Sequence, residues 1–183
     1  MEHVPWAHEV ARRLLAELPG RWAHTQGVVR AAQSIAHVVG DDAEVLVCAA
    51  WLHDIGYAPD LAKTGFHPLD GARHLRDVEH ASGRLCRLVA HHSCAVIEAG
   101  NRDLAGELVD EFPAVDGLVA DALTYCDMTT SPEGKPVGVE ARLSEIVDRY
   151  GDGSVVADSI EQARTQIERS ARAMADAMAK RRR

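Results

Sequence analysis

Two adjacent residues, His53 and Asp54, are the side chains in this sequence best suited to chemistry. They follow the apolar run 46–52 and precede Gly56, so they stand at the end of a predicted buried helix. An imidazole and a carboxylate are both good ligands for divalent metal ions, whereas two unsatisfied polar groups at a buried helix end would be costly. The pair therefore predicts a catalytic metal site. For the pair taken alone, a helix C-cap with a local hydrogen bond is the alternative.

Two further candidate ligands, His24 and Asp127, lie on the apolar stripes of other predicted helices. His24 stands one helical turn before Val28, and Asp127 stands one turn after Leu123. Residues four apart share one face of a helix, so we expect both side chains to point into the protein interior.

The remaining candidates are His67 and one member of the pair His91-His92. His67 next to Pro68 also suits the start of a helix, so a capping role is its alternative. The candidates are too far apart in sequence for a local zinc motif, but converging helices of a bundle can bring such residues together. Imidazole and carboxylate ligands without a thiolate favour Fe, Mn, Zn or Mg, as one or two ions.

The elements that must position these residues are all predicted to be helices. The first is expected over 5–18 and ended by Pro19-Gly20, and the last is a long Ala-rich helix over 155–180. We expect an all-α, single-domain bundle of roughly seven to nine helices. Its three parts are an N-terminal helix (1–20), a metal-binding core (21–130), and a C-terminal loop with helices packed on the same domain (131–183).

Composition restricts the possible binding partners and the expected cellular location. The 183 residues carry a formal net charge of −8, which argues against a surface that coats nucleic acid. The four cysteines form no C-x-x-C pair, and no apolar run of 18 residues predicts a membrane span. We therefore expect a cytoplasmic protein without a signal peptide. A homodimer through the long C-terminal helix is a further expectation.

Two short segments resemble a known family. Residues 52–56 (Leu-His-Asp-Ile-Gly) and 21–25 (Arg-Trp-Ala-His-Thr) are similar to the signature and the first-histidine helix of the HD-domain metal-dependent phosphohydrolase superfamily. The resemblance covers residues 21–130 and implies that one metal ion is held by four residues, His24, His53, Asp54 and Asp127.

The resemblance also implies a second metal ion in dinuclear members. There, a histidine at the start of the helix after the signature and a later histidine hold that ion. His67 and His92 match these positions best, with His91 as the alternative to His92, and Asp54 would bridge the two ions. The implied activity is hydrolysis of a phosphate ester or anhydride in a nucleotide or other small phosphorylated metabolite.

One departure from the family pattern concerns phosphate binding. Many relatives carry a lysine three residues after the signature aspartate, and this chain has Tyr57 there. Candidates to replace that cation are Arg30, Lys63, Arg73, His74 and Lys135, of which Lys135 lies just beyond the Asp127 helix. Two other functions are alternatives, and the missing lysine keeps the first of them open. One is a di-iron oxygenase that resembles this family, and the other is a non-catalytic, metal-bound sensor or regulatory module.

Overall fold

The computed structural model describes residues 3–181, and the predicted all-α class is confirmed for this part of the chain. The segment 94–112 divides into two short helices, so the described residues form ten α-helices. Their bounds are α1 Val4–Leu15, α2 Pro19–Ile35, α3 Ala43–Leu52, α4 His67–Asp77, α5 Gly83–His91, α6 Ala95–Asn101, α7 Ala105–Glu111, α8 Leu118–Met128, α9 Val139–Tyr150 and α10 Val155–Arg181. The outermost ends of the predicted parts 1–20 and 131–183 lie outside the described residues.

The junction of α1 and α2 differs from the sequence-based prediction. Pro19-Gly20 was expected to end the first helix, but α1 ends at Leu15 and Pro19 begins α2. Proline suits the first turn of a helix, because its fixed φ is already helical and no intrahelical partner exists there for an N–H group. Arg21 and His24 therefore lie in the first two turns of α2.

Helix α3 is the centre of the main core. It is apolar around its circumference, which is typical of a helix buried on all sides. It packs against α1, α2, α5 and α8, and Leu46, Ala50 and Leu52 are fully buried. Because α3 ends inside the protein, the chain that follows it places His53 and Asp54 in the interior, where both side chains are almost completely buried.

The long helix α10 packs across α6, α8 and α9. A smaller apolar cluster, which includes Met128, Ile146 and Ile167, joins α8, α9 and α10. These contacts hold α9 and the start of α10 opposite the converging ends of α2, α3 and α8. Among the described helices, none has both the length and the apolar character needed to cross a membrane.

Candidate metal centre

Six of the predicted ligands converge from five different helices or from the turns beside them. Their potential ligand atoms form two groups, and within each group these atoms lie within 4.8 Å of one another. The inner group consists of His24 on α2, His53 directly after α3, and Asp127 in the last turn of α8. The outer group consists of Asp54, His67 at the start of α4, and His92 directly after α5.

Gly56 allows the two groups to lie next to each other. A Cβ atom at this position would lie 2.0 Å from the carbonyl oxygen of His67 and 2.8 Å from the backbone nitrogen of Gly71. Only glycine therefore lets the turn after α3 pack directly on the first turn of α4. The close approach brings Nε2 of His67 to 3.4 Å from Oδ1 of Asp54.

Three of the imidazoles are oriented by backbone carbonyl groups. In each case Nδ1 lies within hydrogen-bond distance of a carbonyl oxygen: His24 with Ser131 at 3.1 Å, His53 with Ala50 at 2.9 Å, and His92 with Val89 at 2.6 Å. A carbonyl oxygen only accepts, so Nδ1 must be the donor. Each Nε2 atom then carries a lone pair and is free to bind a cation, as is usual for metal-binding histidines.

The Nε2 atom of His53 is the clearest sign that these residues fit a cation. The side chain is fully buried, and this nitrogen has no hydrogen-bond partner among residues 3–181. Nearby, Nε2 of His24 faces Oδ1 of Asp127 at 3.0 Å. When Nδ1 of His24 donates to Ser131, two acceptors face each other there, and they repel unless a positive charge neutralises them.

The electrostatics of the site favour the protonation states that bind metals. Burial raises the pKa of Asp54, but the charge interactions with His53 and Arg21 outweigh it and hold the pKa well below its usual value. Burial also raises the pKa of Asp127. The hydrogen bond and the charge of His24 lower it by more, so this pKa too lies well below its usual value.

Burial has the reverse effect on two of the histidines. It is the largest influence on His53 and His67, and it lowers the pKa of both imidazoles. Neutral imidazoles and ionised carboxylates are the forms in which these side chains bind metals. Together with the unpartnered Nε2 atom of His53, this makes the residues a good fit for a divalent metal ion.

Ser93 is a member of the site that sequence reasoning missed. Its hydroxyl donates a hydrogen bond to Oδ2 of Asp127. Ser93 and Cys94 both have a positive φ, at 52° and 62°, a left-handed conformation that costs free energy for residues with a side chain. These two residues turn the chain sharply after α5, so that His92 and Ser93 both face the cluster. No sequence motif signals such a turn.

All members of the two groups except the fully buried His53 line a cleft whose volume, open solvent included, is about 620 Å³. The opposite wall comes mainly from α9 and the start of α10. Its apolar part includes Ile146, Val156 and Ile160, and its basic part includes Arg142 and Arg149. Sequence reasoning had placed the helices of this wall on the same domain without assigning either of them any part of the site.

Arg21 connects the two walls of the cleft. Its Nη1 lies 3.2 Å from Oδ2 of Asp54, and its Nη2 donates to the hydroxyl of Tyr150 at 2.9 Å. The guanidinium carbon also lies 3.6 Å from the centre of the Tyr57 ring, which in turn stacks on His67 at 4.0 Å. A cation is therefore present beside Tyr57. In the sequence, Arg21 could have been found from its position one turn before His24 on the same helix.

His91 is not part of either group. Its Nε2 hydrogen bonds with the carbonyl oxygen of Phe112, on the far side of the end of α5. His91 is the last residue of α5, whereas the backbone of His92 has already left the helix, with φ −58° and ψ 147°, so the two side chains point in different directions. The structure places His92 in the outer group and His91 outside both groups.

The two cations predicted to bind substrate also lie away from the cleft. Lys135 is exposed on the loop after α8. Arg73 on α4 forms ion pairs with Glu107 and Glu111 of α7. Neither residue lines the cleft within the described part of the chain. Position along the sequence is a poor guide for such residues, because the direction of a long side chain depends on its partners in the folded protein.

Comparison with known protein families matches residues 21–151 to the HD domain. The match begins in α2 and ends just after α9, so it includes both ligand groups and the arginines of α9. Comparisons with curated proteins and with solved structures gave no match.

Proposed function

This chain belongs to the HD domain family, in the superfamily of metal-dependent phosphohydrolases, and on that premise we propose that it hydrolyses a phosphate ester or anhydride. The proposed substrate is a nucleotide or another small phosphorylated metabolite. One observation carries the proposal: two His/Asp groups and three arginines face the same cleft. When bound, a divalent cation supplies Lewis acidity that activates water and neutralises charge on phosphoryl oxygens.

The ligand residues divide between two ions. His24, His53 and Asp127 would hold one ion, and His67, His92 and Asp54 would hold the other. Oδ1 of Asp54 is 3.6 Å from Nε2 of His53 and 3.4 Å from Nε2 of His67. This position between the groups supports a bridging role for Asp54.

The residues around the groups have the properties needed to bind a phosphorylated compound. Arg21, Arg142 and Arg149 line the cleft, and guanidinium groups bind phosphate oxygens in pairs of hydrogen bonds. The apolar side chains of α9 and α10 can cover the organic part of such a substrate and limit the access of water. A fully polar cleft would have argued for a much smaller or more hydrated substrate.

Arg21 supports phosphate chemistry in place of the family's lysine. It lies against the Tyr57 ring and reaches Asp54 at 3.2 Å, so a permanent positive charge is close to the proposed reaction centre. A di-iron oxygenase is the second candidate. The observation that favours it is Tyr57 itself, which covers His67 with an aromatic ring where many relatives have lysine.

The test is a phosphate-release screen of the full chain with Mn²⁺, Fe²⁺ or Mg²⁺. The substrates are mononucleotides, dinucleoside polyphosphates, cyclic dinucleotides and sugar phosphates. Release by the wild type should disappear in His53→Ala and Asp54→Ala. His37→Ala, which removes an exposed histidine from outside the cluster, should release phosphate at the wild-type rate.

The other outcomes contradict the proposal in distinct ways. Metal-loaded protein that releases no phosphate from any compound would exclude the hydrolase. If that protein holds iron and consumes oxygen when a phosphonate or polyol is added, it is an oxygenase. If it binds metal and is silent in both assays, it is a sensor or regulatory module.

A further inference from the structure

A second depression, of about 610 Å³, opens beside the metal centre at the start of α2. Its lining combines residues 18–20 and Pro132 with three arginines, Arg21, Arg142 and Arg149. His24 also lines it, so the depression adjoins the inner ligand group. Among the described residues, no carboxylate side chain lines it. In a chain with a formal net charge of −8, three guanidinium groups around one depression are a local reversal of charge.

The first turn of α2 contributes partial positive charge to the same depression. This helix is 17 residues long and has neither a capping side chain nor an acidic residue in its first turn. A helix leaves its first backbone N–H groups without intrahelical partners, and the helix dipole favours an anion there. The space is accessible, because a Cβ atom added to Gly20 would meet nothing within 4 Å.

Arg142 on α9 supplies an independent sign of a ligand. The residue is only 4% exposed, yet its Nε has no hydrogen-bond partner within residues 3–181. A buried guanidinium with an unused donor is costly unless an acceptor satisfies it. The side chain lines the depression, so an oxyanion bound there would be a suitable acceptor.

The ion pairs of the three arginines leave positive charge available. Glu145 is shared, because it accepts from Nη1 of Arg142 and lies 3.2 Å from Nε of Arg149. Arg21 pairs with Asp54, which also belongs to the outer ligand group. Two guanidinium groups on α9 therefore face the depression with one carboxylate between them.

We propose that this depression is a second phosphate subsite, which binds a phosphate group other than the one that is hydrolysed. The substrate class is then a small metabolite with two phosphate groups or a diphosphate. That the bound phosphate group belongs to the substrate rests on the proposed function. Binding of an anion in the depression does not require hydrolysis. Arg21, Arg142 and Arg149 line both the cleft and the depression, so one compound can reach both.

The binding test uses inorganic phosphate as the probe and the metal-loaded full chain. Isothermal titration should show that Arg149→Gln weakens phosphate binding at least tenfold while the metal content stays the same. Arg142→Lys keeps the charge but loses Nε, and it should weaken binding as well. The matched control is Arg172→Gln, which removes an arginine with a 66% exposed side chain on α10 and should bind phosphate as the wild type does.

The kinetic test separates this subsite from the cleft. For a substrate with two phosphate groups, Arg149→Gln should raise KM at least tenfold, while KM for a one-phosphate substrate rises much less. Free phosphate should compete with the two-phosphate substrate. If free phosphate instead changes kcat and does not compete with this substrate, the depression binds free phosphate as an effector. That result would overturn the proposal that it binds a phosphate group of the substrate.

Failure of the subsite and failure of the proposed function are distinguishable. If phosphate binding depends on Arg149 but no compound is hydrolysed, the subsite stands and the hydrolase is excluded. Wild-type phosphate binding and wild-type KM values in Arg149→Gln would overturn the subsite even when hydrolysis is observed. An unchanged thermal unfolding temperature in Arg149→Gln establishes that the variant is folded.

Discussion

The cleft has two walls that are built on different physical principles. The ligand wall consists of the inner and outer groups, and its side chains are short, almost fully buried and oriented by backbone carbonyl groups. The arginine wall, on α9, uses long side chains that share one carboxylate, and the side chain of Arg149 is 35% exposed. A metal site requires fixed geometry, whereas long-range attraction of an anion tolerates movement. The first wall therefore suits chemistry and the second suits binding and selectivity.

Arg21 is the residue on which this comparison depends most. It contacts Asp54 on the ligand wall and Tyr150 at the end of α9. Changes confined to the ligand wall should reduce metal content and kcat together. Changes confined to the arginine wall should raise KM and leave the metal in place.

The largest effect is expected for Asp54→Ala. Loss of a group that orients a metal ligand already costs about 10–100-fold in affinity or activity, so loss of the carboxylate between the two groups should cost at least about 100-fold. Metal analysis of protein purified without chelator should show at least one ion fewer than the wild type. Asp110→Ala, at an exposed position on α7, is the control. Full metal content in Asp54→Ala would exclude the bridging role.

Gly56→Ala should damage the ligand wall without removing a ligand. Its Cβ would lie 2.0 Å from the carbonyl oxygen of His67, and such overpacking typically costs about 1–3 kcal/mol. We expect a lower free energy of unfolding in urea and a loss of metal from the outer group. Gly106→Ala is the matched control, because a Cβ atom there meets nothing within 4 Å. Equal stability of the two variants would show that the turn and α4 do not need this close approach.

Arg21→Gln tests whether the connecting residue acts mainly in binding. Hydrogen bonds to charged groups contribute about 1.5–3 kcal/mol, so KM for the substrate should rise at least about tenfold. Metal content should stay at the wild-type level, because none of the ligand atoms is removed. A loss of metal comparable to that of Asp54→Ala would instead assign Arg21 to the ligand wall.

The smallest effect is expected for Arg73→Gln. Its ion pairs with Glu107 and Glu111 are partly exposed, and such pairs are typically worth about 0–1 kcal/mol. Both kcat and KM should remain within about twofold of the wild type, since this side chain lies outside both walls. A tenfold rise in KM would restore the original expectation that Arg73 binds substrate.

Much of the fold and of the ligand wall could be predicted because the signals are local. Helical periodicity indicates which side of a helix is buried, and His24 and Asp127 each lie on such a side. His53 and Asp54 were recognisable because polar residues ended the most apolar segment. Residue type and position were enough to name five of the six side chains that the structure brings together, and they left His91 and His92 as alternatives for the sixth.

The arginine wall could not be predicted, because it depends on contacts between distant segments. Arg21 donates a hydrogen bond to Tyr150, which lies 129 positions away in the sequence. The periodicity of neither helix predicts this contact. The choice of His92 over His91 depends on where α5 ends, because His91 is its last residue and the backbone of His92 is no longer helical. The sequence by itself determined an all-helical protein with a set of candidate metal ligands. Only the packing of α9 and α10 decided which cations face those ligands, because the direction of a long charged side chain is set by its partners in the folded state.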